Sequence, residues 1–223
     1  MNESLFFLHI LIAFGFGILA LKMGKTTLTA WVALQAVLAN LFVIKQITFF
    51  QFHITATDVF AIGSMFGLNL LREYFGKESA AKALWICFFS MGFFVVMAQI
   101  HLLYLPSPYD TTHPAFVTLL SPSWRLLNAS IAVFFLVQQI DLRLFSYLKT
   151  KPLPLALRNG ICIGSTQFLD TVLFSVLGLL GLVSNLFDII LISFLVKLLI
   201  ILLMTPLTLF SKRFVPGGSN GAF

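Results

Sequence analysis

Apolar residues in this chain gather in long runs broken by short polar joints. A helix needs about 20 such residues to cross a ~30 Å hydrocarbon core. Seven runs reach or approach that length: 5–21, 27–44, 54–71, 83–105, 126–146, 160–183 and 186–210. The third is the most polar, carrying Thr55, Thr57, Asp58, Gly63, Ser64 and Asn69. It reads as a span turned toward the protein interior, with a re-entrant segment as the alternative. The loop 106–124 holds Pro106, Pro108, Pro114 and Pro122, and 113–120 within it predicts a short helix lying at the membrane surface. Pro152 and Pro154 stop helix in the basic joint 149–158. The expected fold is all-α, a polytopic transmembrane bundle of six core helices plus one N-terminal helix. Its divisions are 1–25 for the additional helix, 26–213 for the core and 214–223 for a flexible tail.

A second pattern lies inside the apolar one. Gln138-Gln-Ile-Asp141-Leu-Arg-Leu-Phe145 and Gln167-Phe-Leu-Asp170-Thr-Val-Leu-Phe174 both read Gln-x-x-Asp-x-x-Leu-Phe. On a helix the amide and carboxylate share one face, with the Phe one turn on. Ser130 and Asn159 stand eleven residues before the two acids, close to three full turns, and so fall on the same faces. Asp58 and Asn69 repeat that spacing in the third run. An acid inside a membrane costs ~2.5–3.5 kcal/mol on insertion scales, which points to a substrate or ion path.

Depth joins these groups. Counting from Arg158 at the inner surface, Asp170 lies ~18 Å up its helix; from Leu186 at the outer surface, Lys197 lies ~16 Å down. Lys197 is too deep to snorkel easily and calls for a partner, of which Asp170 is the obvious one. The plainer alternative is an ion pair that only locks two helices. Asp141 falls nearer the inner surface beside Arg143 and Lys149, where a structural role competes with a ligand role. Arg125 opens its run from the outside, as an interface anchor or as a ligand group.

Composition narrows the class. Hydrophobic residues make up 59% of the chain and charged ones 10%, with 26 Phe; a soluble domain runs near ~25% charged. A soluble globular fold is excluded. The net charge of +6 does not indicate nucleic acid, because the basic residues sit at the ends of apolar runs. With the N-terminus outside, Lys22, Lys25, Arg72, Lys77, Lys82, Arg143, Lys149, Lys151, Arg158, Lys212 and Arg213 all face the cytoplasm, eleven of fourteen. The first run lacks a positive leader and reads as retained helix, not signal peptide. Cys87 and Cys162 lie inside apolar runs, and His9, His53, His101 and His113 have no ligand spacing, so no metal is expected. No glycine-rich phosphate loop implies an ATPase, and no cofactor is expected. An intramembrane aspartyl protease fits poorly: Asp141 and Asp170 fall ~12 Å apart in depth, too far to share a proton. The chain reads as no enzyme.

One set of residues carries a resemblance: Ala39-Asn-Leu-Phe-Val-Ile-Lys45; Glu73-Tyr-Phe-Gly-Lys77 with Ala80 and Lys82; Arg125 with Ser130; Gln138 with Asp141; Ser165 with Gln167, Asp170 and Thr171. In this order they resemble the queuosine precursor transporters, vitamin-uptake-type membrane proteins that carry 7-deazaguanine bases for tRNA modification. The resemblance spans roughly 39–206. Members often hold an Asp seven residues before the loop Gly; here Asn69 precedes Gly76, and Asp58 is the acid at hand. The resemblance implies a six-helix core like the substrate-binding subunits of energy-coupling-factor vitamin transporters. It further implies import of queuine or a related base by a multi-pass protein of the inner (plasma) membrane. A binding subunit that needs a separate energising partner is the alternative. The partners expected are a small-molecule base and membrane lipid, with no nucleic acid; a homodimer stays open.

The chemistry of such a base suits the polar stripe. Its N1–H and exocyclic amine lie side by side and suit one carboxylate, Asp170. Its O6 needs a donor such as Lys197, Gln167 or Asn69, and a cationic substituent wants a second acid, Asp141 or Asp58. Gln138, Ser130, Asn159 and Arg125 complete the candidate binding set, with Phe rings to stack on the flat bicycle.

Overall fold

The computed structural model describes residues 1–152 and 155–211, without the side chains of 138, 141, 142, 145, 146, 149, 155–160, 162 and 200–211. In chain order these form α1 (Asn2–Lys22), α2 (Lys25–Phe42), β1 (Gln46–Phe49), β2 (Phe52–Thr55), α3 (Asp58–Phe75), α4 (Lys77–Leu102), α5 (His113–Leu120), α6 (Ser123–Lys149), α7 (Leu155–Phe174) and α8 (Leu186–Ser211). A π-helical turn, Ser175–Leu179, extends α7. All seven apolar runs are helical over most of their length, and the short helix between the prolines is α5.

The joints follow from local chemistry. Gly24 and Gly76 adopt φ of 105° and 84°, values that a Cβ disfavours, and there the chain reverses between α1 and α2 and between α3 and α4. Asp110 starts α5: its Oδ1 accepts from the Thr112 amide and hydroxyl and from the His113 amide, at 2.8, 2.8 and 3.2 Å.

Residues repeating every three or four positions make the core. Leu28 and Val32 of α2 meet Ile62, Phe66 and Leu70 of α3, with Ala83 and Cys87 of α4 and Ala20 and Leu21 of α1 in the same cluster. The outside is equally apolar: Leu11, Trp85, Phe89, Phe93, Phe187 and Leu195 are all exposed. A bundle with an apolar interior and exterior is solvated by lipid, and its helices associate by packing and polar contacts. Among the described residues three stretches are long and apolar enough to cross a membrane, Asn2–Lys22, Lys77–Leu102 and His113–Val137.

The third run departs from expectation at its start. Helix begins only at Asp58, and the residues before it form an antiparallel hairpin in which Phe49 pairs with Phe52 and Ile47 with Ile54. Phe50 and Gln51 turn it with φ of 44° and 71°, the left-handed pair that two-residue hairpins require and that Asn-Gly usually signals. The alternation of Ile47, Phe49, Phe52 and Ile54 with polar neighbours is strand-like, but without glycine the turn does not announce itself. Outside bonds hold it. Asn2 Nδ2 donates to the Thr48 carbonyl (2.9 Å), the Phe50 amide to Glu3 (3.1 Å) and the His53 amide to Asp188 (3.0 Å). Phe49 and Ile54 pack with Phe6, Ala13, Val59 and Ile192.

Candidate functional site

The hairpin, α2, α3, α4, α6, α7 and α8 enclose a cavity of about 590 Å³, within the range of small-molecule sites. Each helix turns one face to it. On α7 that face is Ile163, Thr166, Gln167, Asp170, Thr171, Phe174 and Ser175; on α8 it is Ile189, Ser193 and Lys197. The spacing follows the helical repeat, so the Gln-x-x-Asp of α7 delivers both polar groups to the lumen. From Ile189 to Lys197 the cavity wall descends ~12 Å along α8.

Lys197 organises the deep end. Its Nζ donates to Asp170 Oδ2 and to Thr171 Oγ1, both at 3.0 Å, and the Thr171 hydroxyl donates in turn to the Gln167 carbonyl at 2.8 Å. The lysine side chain is 12% exposed and the aspartate 36%. Oδ2 of the carboxylate pairs with the lysine, and the Asp170 side chain, partly exposed, also lines the cavity. Hydroxyl and carboxylate together satisfy the ammonium, as a charge in a low-dielectric setting requires.

One turn up α8, the Ser193 hydroxyl donates to Asp58 Oδ2 at 2.6 Å, with both residues buried. Thr57 donates to Thr55 beside it at 3.0 Å. Asn40 of α2 also lines the cavity; it is 7% exposed, and its Oδ1 accepts no hydrogen bond among the described residues. Ala36, Val43, Phe60, Leu126, Phe134 and Leu179 supply apolar and aromatic wall. The arrangement offers a carboxylate, an ammonium, amides and hydroxyls around a partly apolar cavity.

Of the residues expected from sequence, Asp170, Lys197, Gln167, Asp58 and Ser130 come together in this cavity. The side chains of Gln138, Asp141 and Asn159 lie outside the described residues, as does the tail 214–223. Asn69 is exposed, because the lumen-facing side of α3 ends at Leu68. The eleven-residue spacing puts Asn69 and Asp58 on one face, but that face leaves the bundle before it reaches Asn69. Arg125 is also exposed and has another partner: its Nε donates to the Leu177 carbonyl at 2.8 Å. A π-helical turn leaves backbone groups displaced from the α-helical ladder, and Arg125 takes one of them.

A family model described as "Putative vitamin uptake transporter" matches residues 55–211, the stretch that supplies Asp58, Asp170 and Lys197, the charged side chains of the cavity among the described residues. The chain belongs to this vitamin uptake transporter family. It is 27% identical over 205 residues to the "Probable queuosine precursor transporter" of Bacillus subtilis (strain 168), covering 89% of each chain. No solved structure matches it. For a vitamin uptake transporter, a polar cavity in an otherwise apolar bundle is the expected place for the cargo. Among the lining groups that escaped the sequence reading as site residues are Asn40, Thr57 and Ser193. Asn40 stood within a quoted motif, but its burial depends on α2 packing against α3, which no local pattern encodes. Ser193 stands four residues before Lys197 and could have been found from that spacing alone.

Proposed function

We propose that this vitamin uptake transporter imports a queuosine precursor, queuine or another 7-substituted 7-deazaguanine base, across the plasma membrane. One observation carries the proposal: the partly exposed Asp170 carboxylate is paired with the Lys197 ammonium, an acceptor next to a donor, and both line a cavity of about 590 Å³. A deazaguanine edge presents the complement, N1–H and the 2-amine as donors and O6 as acceptor. The edge would take Asp170 through its two donors, and Lys197 or Gln167 would supply the donor to O6. Phe60, Phe134 and Phe174 line the cavity and can stack on the bicycle. A cationic substituent would take Asp58.

The printed name of the relative in Bacillus subtilis supports the same substrate class. The protein would be multi-pass, with its N-terminus outside and the core 26–213 preceded by the helix 1–25. The test is inhibition of labelled queuine uptake by unlabelled guanine and adenine. Guanine keeps N1–H, the amine and O6 and should compete; adenine leaves buried polar groups unpaired, a mismatch that can reject analogues by ~10⁴–10⁵. Equal inhibition by adenine would exclude edge recognition.

A further inference from the structure

Three charged side chains, Asp58, Asp170 and Lys197, line the cavity among the described residues. Two acids against one cation leave one negative charge unbalanced in a low-dielectric enclosure, which is expensive for a buried group. Lys197 is already bonded to Asp170. Asp58 is 7% exposed and is held by the Ser193 hydroxyl and, among the described residues, by no ion pair. The first turn of α3, which begins at Asp58, contributes only about half a unit of positive charge. One further positive charge is therefore required.

Resting on the proposed function, we propose that the Asp58–Ser193 site binds one exchangeable cation. It holds a proton when the cavity is empty or carries a neutral base, and the ammonium of a cationic base replaces that proton. A second observation supports a ligand in this cavity: the Asn40 Oδ1, which also lines it, is buried and accepts no hydrogen bond among the described residues. An ammonium brings three N–H donors and no acceptor, which suits a carboxylate, a hydroxyl oxygen and an amide carbonyl.

The surroundings limit what else can titrate. From α8 come Ser193, bonded to Asp58, and Lys197, which lines the same cavity. From α7 comes Asp170, already paired. From α1, the His9 ring lies edge-on to Phe60 at 5.1 Å, on the turn of α3 after Asp58. Among the described residues the α2, β2, α4 and α6 walls carry no charged side chain: Asn40, Thr55, Leu84, Met91 and Ser130 are among them.

The proton balance is simple. When a cationic base enters, the Asp58 carboxyl releases its proton to water and the carboxylate accepts the ammonium. When a neutral base enters, the proton stays. The loaded cavity is neutral in both cases.

The experiment measures binding of 7-aminomethyl-7-deazaguanine and of neutral 7-methyl-7-deazaguanine to the purified full chain across a pH series. Displacement of one proton makes the cationic base bind about tenfold tighter per pH unit while the free site is protonated, and leaves the neutral base unaffected. Asp58→Asn should abolish that slope and weaken only the cationic base; unchanged neutral-base binding shows that the variant folds. Ser193→Ala should displace the slope along the pH axis. A cationic base whose affinity is independent of pH, or an Asp58→Asn variant that weakens both bases equally, would overturn the proposal. Either result with guanine-edge selectivity intact leaves the substrate reading standing, whereas failure of both bases to bind the wild type removes both.

Discussion

At the residue scale, the Lys197–Asp170 pair is asymmetric, with the lysine enclosed and the carboxylate partly open. Removing one partner of a buried pair leaves a charge without compensation, typically ~3–5 kcal/mol, whereas replacing both can be neutral. Because Asp170 is 36% exposed, Lys197→Met should lower stability by only about 1–3 kcal/mol, and Asp170→Leu added to it should restore part of the loss. Thermal melting of the two variants measures this; a double variant less stable than the single would contradict the pairing. Gly67 gives a purely steric case. A Cβ there would collide with Val32 Cγ2 and meet Trp31 Cζ3 at 2.9 Å, so Gly67→Ala should cost about 1–3 kcal/mol by overpacking. Gly15 has open space around it, and Gly15→Ala should leave the melting temperature unchanged or raise it slightly. Sequence made Asp170 and Lys197 legible because ionised groups in apolar runs stand out. The environment of Gly67 was not legible, since it depends on how closely α2 approaches α3.

At the element scale, helices were readable and the hairpin was not. Apolar length identifies a membrane helix without tertiary knowledge, and prolines and glycines mark its ends. The hairpin depends on Glu3, Asp188 and Asn2, which come from the opposite ends of the chain. Its turn places Phe50 and Gln51 in a left-handed conformation that costs ordinary residues roughly 1–2 kcal/mol each. Phe50→Asn with Gln51→Gly should therefore raise the melting temperature while queuine binding is retained; a fall would mean that the Phe50 ring matters more than the backbone. The start of α5 depends on pH. The Thr112 hydroxyl, then the Thr112 amide, holds the Asp110 carboxyl below its ordinary range. A depressed carboxylate contributes stability above its unfolded pKa and loses it as pH falls through the folded one. The His113 amide should thus stay protected from hydrogen exchange through the usual carboxylate range and lose protection only below it, whereas Asp110→Asn should weaken protection at neutral pH.

At the scale of the whole molecule, the run lengths and the position of basic residues yielded an all-α bundle, and the depth count placed Asp170 level with Lys197. What the count could not supply was the lateral arrangement of helices. Ser130, on α6, and Asp58, on α3, reach one lumen only because α2, α4 and α6 pack in sequence around it. The orientation in the membrane is a prediction of charge. With Cys87 and Cys162 replaced, a Thr150→Cys variant should resist an impermeant thiol reagent in intact cells and react after permeabilisation. Labelling from outside would reverse the proposed topology.

Asp170 is the group proposed to read the base. Queuine binding to purified wild-type protein and to Asp170→Asn, compared by titration calorimetry, tests it most directly. Loss of a charged hydrogen-bonding partner should weaken binding by about 1.5–3 kcal/mol, roughly ten- to two-hundredfold, in a variant whose thermal unfolding remains cooperative. Wild-type affinity in a folded Asp170→Asn protein would contradict it.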